Sequence, residues 1–216
     1  MLNIMTRTSS RTPQRPVRPQ RSQKITLTEL LWALIGLMLT IGGTLLEASI
    51  TGFPWQWSGT IPLHSLGVNC QIGAVILIGC LGGRNAAAMS QIAYLGLGLA
   101  GFPVFSKGGG FSYLGEPSFG YLLGFIPGAW VCGRLAFKAV PRLEAFAFSG
   151  LCGLLVVHFV GILYLILGYA FKWVHPNSMP FWKAVMAFSV HLLPGQLAVT
   201  CAIAILAFLL RRVMFY

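Results

Sequence analysis

From Leu66 to Gly101 the chain carries a single charged side chain, Arg84, and one interruption of its apolar character, Gly82-Gly83-Arg84-Asn85. One helix of that length would reach roughly 50 Å at about 1.5 Å per residue, well beyond a bilayer core of ~30 Å. The Gly-Gly-Arg-Asn break therefore predicts a tight turn between two short spans, each near the lower limit for a crossing. Apolar runs recur at Leu30–Leu46, Gly120–Phe137 and about 145–170. A last one starts at Pro194, a residue suited to the first turn of a helix, and ends before Arg211-Arg212. Together they predict an all-α integral membrane protein, a bundle of six transmembrane helices. The first run is too long for the apolar region of a signal peptide and lacks a small-x-small cleavage site, so it reads as an uncleaved span.

Composition agrees. The chain of 216 residues is 56% hydrophobic and 9% charged, where soluble domains carry roughly 25% charge. Residues 1–24 are rich in Arg, Pro, Ser, Thr and Gln and read as a disordered basic tail. A plastid transit peptide, of similar composition, stays open as the alternative. Residues 25–216 then form one membrane domain.

With the N-terminus in the cytoplasm, twelve of the fifteen basic residues fall inside, and only Lys107, Lys172 and Lys183 fall outside. The inner set is Arg7, Arg11, Arg15, Arg18, Arg21, Lys24, Arg84, Arg134, Lys138, Arg142, Arg211 and Arg212. Such a bias predicts both termini inside, and it accounts for the net charge of +11 without nucleic acid. The loops 51–65, 102–119 and 172–193 then all face outward. They are long, aromatic and rich in Gly and Pro, with Trp55 and Trp57 in the first, as suits an interface and a ligand site.

The chain has no Asp, and its acids are Glu29, Glu47, Glu116 and Glu144. That excludes aspartic proteases, Ser-His-Asp triads and Asp-held magnesium. No Walker A, H-E-x-x-H or G-x-S-x-G pattern is present. We therefore expect no catalytic residues, no metal and no cofactor. Cys70, Cys80, Cys132, Cys152 and Cys201 form no C-x-x-C pair and read as buried thiols. Ser90, Gln91 and Tyr94 inside the third run mark either hydrogen bonds between helices or the floor of a pocket. His158 reads first as an interhelical hydrogen-bonding residue, with a ligand contact as the alternative; His64, His175 and His191 form no metal spacing. Glu29 suits a helix N-terminus. Ala33, Gly36 and Thr40 form a stripe of small residues, either for packing within the chain or for docking a partner.

The most informative stretch is Gly101-Phe102-Pro103-Val104-Phe105-Ser106-Lys107-Gly108-Gly109-Gly110, followed by Glu116-Pro117-Ser118-Phe119-Gly120-Tyr121-Leu122-Leu123-Gly124-Phe125. It resembles the G-L-P-V-F-A-G-G and G-P-T-G-G-Y-L-x-G-F segments of the BioY family, the biotin-binding membrane subunits (S components) of energy-coupling factor transporters. Val68-Asn69-Cys70-Gln71 is similar to the family's V-T-L-Q at the start of span two, with Gly83-Arg84 in the next turn. Leu193-Pro194-Gly195-Gln196 is similar to its L-P-G-D at the start of span six.

The resemblance implies a multi-pass protein of the cell membrane, or in the alternative of a plastid membrane, that captures biotin from outside. It also implies a transmembrane coupling subunit and ATPase subunits as partners, with Ala33, Gly36 and Thr40 as the docking stripe. Biotin offers a urea-like ring, a thioether ring and a carboxylate. A pocket for it needs amides, aromatic walls and a cation. The amides are expected from Asn69, Gln71 and Gln196, the walls from Phe105, Tyr113, Tyr121 and the Trp residues, and a closing loop from Gly108 and Gly110. The family reads P-G-D-x-x-K where this chain has Gln196 and Val199, so the pattern's acid and cation are both gone. Lys107 is the expected replacement for the cation, with a solvated loop charge as the other reading. An S component for another small vitamin-like molecule, or a membrane-embedded enzyme, are the alternative functions.

Overall fold

The computed structural model describes residues 25–51, 63–138, 140–174 and 179–214. The tail, Trp55, Trp57 and His175 lie outside the described residues. Helix α1 (Leu27–Leu45) opens with a reciprocal cap: Thr26 Oγ1 accepts from the Glu29 N–H, and the Glu29 carboxylate accepts from the Thr26 N–H. It is followed by strands β1 (Glu47–Thr51) and β2 (Leu63–Asn69), paired antiparallel with Glu47 opposite Asn69 and Ile50 opposite His64. This hairpin corrects the all-α expectation, although the chain is otherwise mostly helical.

Helix α2 (Gln71–Leu99) is broken at Gly83, whose φ of 80° and ψ of 177° belong to no helix. Gln71 Nε2 nevertheless donates to Tyr94 Oη at 2.9 Å. In a continuous helix those residues would stand roughly 35 Å apart, so α2 doubles back at Gly83 into two antiparallel arms. That is the reversal the Gly-Gly-Arg-Asn break predicts. Only glycine occupies this backbone region without strain.

Helices α3 (Phe119–Lys138) and α4 (Leu143–Ala170) pack closely on each other, and α6 (Leu193–Met214) lies against α2 and α4. Helix α6 continues through Arg211 and Arg212 rather than stopping before them. Arg211 Nη1 donates to the Ala136 carbonyl at 3.0 Å, tying α6 to the end of α3. Before α6, the stretch expected as loop contains the short helix α5 (Phe181–Val185) and a π-turn over Met186–Val190. Five helical stretches are long and apolar enough to cross a membrane, with α2 counted once and 181–214 taken together.

The polarity of the bundle is that of a protein solvated by lipid. Leu30, Leu34, Met38, Leu155 and Phe159 face outward, while Thr40, Ser90, Gln91, Ser149, His158 and Thr200 are buried. Gln91 Nε2 donates to Thr40 Oγ1 at 3.0 Å, and Tyr94 Oη donates to the Val104 carbonyl at 3.0 Å. These side chains thus serve as hydrogen bonds between segments. Cys80 and Cys132 are buried, but Cys201 is exposed on α6, which corrects the expectation of uniformly buried thiols.

Candidate functional site

At the end of the bundle where α2 and α3 begin, a cleft of about 250 Å³ opens between β2, α2, α3, α4, the π-turn and α6. Its amide rim is Asn69, Gln71 and Gln196, and Tyr113 and Tyr121 form aromatic walls. Val68, Ile72 and Phe125 add apolar surface. Of the residues expected from the sequence, the structure brings Asn69, Gln71, Tyr113, Tyr121 and Gln196 together here.

Each amide has a defined orientation. Asn69 Nδ2 donates to the Thr44 carbonyl at 3.0 Å, and Gln71 Nε2 donates to Tyr94 Oη. In both, an N–H is spent on a partner that does not line the cleft, which leaves the amide oxygen as the half suited to a ligand. Gln196 is the reverse, because its Oε1 lies 2.7 Å from His158 Nε2. An amide oxygen only accepts, so Nε2 of His158 carries the proton. In the neutral ring Nδ1 then accepts from Ser189 Oγ at 3.3 Å, and Ser189 accepts from Tyr121 Oη at 2.6 Å. Gln196 is left with its N–H groups as donors.

Phe105, Lys107, Gly108 and Gly110 do not line the cleft. Phe105 is buried beside it, with its ring 5.4 Å from Tyr94 and 4.7 Å from Tyr113, so it supports a wall rather than forming one. Gly108 exchanges two backbone hydrogen bonds with Phe105, and the Gly110 N–H donates to the Gly98 carbonyl at 2.7 Å. Both glycines have φ above +100°, so the loop is held as a folded cap that other residues would strain. Lys107 is 60% exposed, and its Nζ is 2.9 Å from Glu116 Oε2. The position where the family pattern has a cation, Val199, is buried against α2 near Gly73.

Ala33, Gly36 and Thr40 face inward. A Cβ on Gly36 would stand 2.6 Å from Ile78 and 2.9 Å from Ser90, and Thr40 is fully buried. The chain's own α2 covers the stripe, and α1 presents Leu31, Leu34 and Met38 outward instead.

Sequence reasoning did not single out Ser118, Ser106 or Phe188, which also line the cleft. Ser118 Oγ is buried and has no partner among the described residues. Its position beside Pro117 in the motif was the signal available. For Phe188 there was none, because nothing in Met186–Val190 announces a π-turn. Among the described residues no three His, Cys, Asp or Glu side chains come together as a metal site.

A lipid-solvated helical bundle with a small amide-rimmed cleft at one end defines a class, that of the S-component fold. A crystal structure titled as the S-component for biotin from an ECF-type ABC transporter superposes with a TM-score of 0.62 at 20% identity, covering 88% of this chain and 95% of that one. The BioY family model matches residues 18–215, and the chain belongs to the BioY family. A probable biotin transporter BioY of Lysinibacillus sphaericus is 42% identical over 107 residues, 49% of this chain and 54% of that protein. The match thus spans about half the length of that relative. The biotin transporter BioY of Thermotoga maritima is 36% identical over 110 residues, 49% of this chain and 63% of its own. An uncharacterised 21.2 kDa protein of Cyanophora paradoxa is 27% identical over 186 residues, 86% of this chain and 95% of that one.

Proposed function

We propose that this chain is the substrate-binding subunit of an energy-coupling factor transporter and that it captures biotin from the outer side of the membrane. The observation that carries the reading is the polarity of the three amides. Asn69 and Gln71 offer oxygens, and Gln196 offers N–H groups. A cyclic urea needs two acceptors for its N–H groups and one donor for its carbonyl, and this set supplies them. Tyr113, Phe125 and Phe188 suit the thioether ring. The names borne by the Lysinibacillus and Thermotoga relatives support the same ligand.

In this reading the bundle crosses the cell membrane six times with both termini in the cytoplasm. The reversal at Gly83 and the distribution of basic residues support it. The capped loop over 102–118 closes the outer end. Uptake then draws on a separate coupling subunit and ATPases.

A second reading, an S component for another vitamin-like molecule, is favoured by Gln196 and Val199 standing where the family pattern has an acid and a cation. One experiment separates them. Labelled biotin is bound to the purified full chain and competed with unlabelled biotin, thiamine and riboflavin. Displacement by biotin alone is the expected result; no retention of biotin would overturn the proposal.

A further inference from the structure

A second concavity, of about 460 Å³, lies at the other end of the bundle. Along α3 it is separated from the cleft by roughly 25 Å, the distance from Tyr121 to Lys138 at about 1.5 Å per residue. It forms where the reversal of α2 meets the end of α3 and the start of α1, and its polar lining is Glu29, Arg84, Asn85, Arg134 and Lys138.

The guanidinium carbons of Arg84 and Arg134 stand 6.0 Å and 5.1 Å from the centre of the same ring, Trp130. Two like charges are thus gathered on one indole. Among the described residues no carboxylate lies within salt-bridge distance of Arg84, Arg134 or Lys138; the ion pair among those residues, Lys107 with Glu116, is at the opposite end of the bundle. Glu29, the acid nearest to them, is engaged with the Thr26 N–H at 3.0 Å and with Asn85 Nδ2 at 2.8 Å. Arg211 is occupied with the Ala136 carbonyl. With three cations and the single carboxylate of Glu29 in its lining, the cavity keeps a net positive charge.

We propose that this cavity binds the phosphate of an anionic phospholipid. Planar guanidinium groups match phosphate oxygens in pairs, and a Trp such as Trp130, beside both guanidinium groups, is at home where headgroups meet hydrocarbon. Basic pockets between transmembrane helices hold anionic headgroups by this same chemistry. A lipid rather than a free phosphate is favoured by Phe137, which lines the cavity and is 47% exposed, offering apolar surface beside the cations.

The test uses the full chain, delipidated in neutral detergent and then incubated with mixed micelles containing phosphatidylglycerol or phosphatidylcholine. Retained lipid is counted by native mass spectrometry. The expected result is selective retention of phosphatidylglycerol, falling about fivefold for each cation removed in Arg84→Gln and Arg134→Gln. Lys107→Gln, at the far end, should retain lipid like the unaltered protein. Arg134 is exposed, so its variant tests the site even if Arg84→Gln fails to fold. Equal retention of the two lipids, or full retention by Arg134→Gln, would overturn the proposal. So would displacement by millimolar inorganic phosphate, which would mark a soluble phosphate site. If lipid retention is not selective but the variants lose co-purification with a protein partner, the cavity is a protein docking surface instead. Biotin retention, measured on the same samples, reports on the cleft separately.

Discussion

His158 Nε2 lies 2.7 Å from Gln196 Oε1, and that contact decides which half of the Gln196 amide faces the cleft. The imidazole is itself set by Ser189, and Ser189 by Tyr121, so residues on α3, α4, the π-turn and α6 fix one side chain. Replacing His158 by Phe removes the orientation while keeping a ring of similar bulk. We expect affinity for biotin to fall about fivefold in His158→Phe and about tenfold in Gln196→Ala, in line with neutral hydrogen bonds worth about 1 kcal/mol. The double variant should cost no more than Gln196→Ala alone, because His158 acts through Gln196. Equilibrium binding of labelled biotin to the purified variants checks all three.

Ser118 gives a prediction with two signs. Its hydroxyl is buried against the cleft without a partner among the described residues, and an unsatisfied buried polar group costs about 1–3 kcal/mol. Ser118→Ala should therefore raise the thermal midpoint of the ligand-free protein. The same change should weaken biotin binding, since the orphan hydroxyl is what a ligand would satisfy. Thermal unfolding with and without biotin measures both effects. A variant less stable in both states would show that Ser118 is structural.

Gly83 carries the reversal of α2. With φ at +80° and ψ at 177°, it lies in a region essentially restricted to glycine, where other residues cost about 1–3 kcal/mol. Gly83→Ala should lower the unfolding free energy by about 1–3 kcal/mol and the midpoint with it, whereas Gly96→Ala should not, because nothing lies within 4 Å of a Cβ there. Denaturant titration in detergent distinguishes them.

The same residue shows what could be read from the chain. A glycine pair inside an apolar run too long for one crossing has few physical outcomes, so the turn was legible. The β-hairpin was not, because Glu-Ala-Ser-Ile-Thr and Leu-His-Ser-Leu-Gly-Val-Asn are short and only weakly alternating, and they pair through backbone groups that leave no mark on side-chain pattern. Ala33, Gly36 and Thr40 announced a close contact but not with whom. Small residues permit approach equally to a partner or to the chain's own helix, and here Ile78, Ser90 and Gln91 take the space. The amides of the cleft could be named from sequence, but their polarity could not. It depends on Thr44, Tyr94 and His158, each far from its amide along the chain.

Lys107 closes the argument about the ligand's carboxylate. The sequence offers it as the replacement for a missing cation, yet its Nζ is 2.9 Å from Glu116 Oε2 and it stands outside the cleft. An ion pair this exposed contributes about 0.2–1 kcal/mol, so it clips the loop without much stabilising the fold. If that clip is its role, Lys107→Ala should weaken biotin and biotin methyl ester by the same factor, no more than about threefold, and Glu116→Gln should do the same. A carboxylate reader behaves differently: Lys107→Ala would then affect biotin and spare the ester, and Glu116→Gln would free the lysine and tighten biotin. We expect the first pattern, with the carboxylate left at the mouth of the cleft in contact with water. Competition binding of acid and ester to the two variants decides between them.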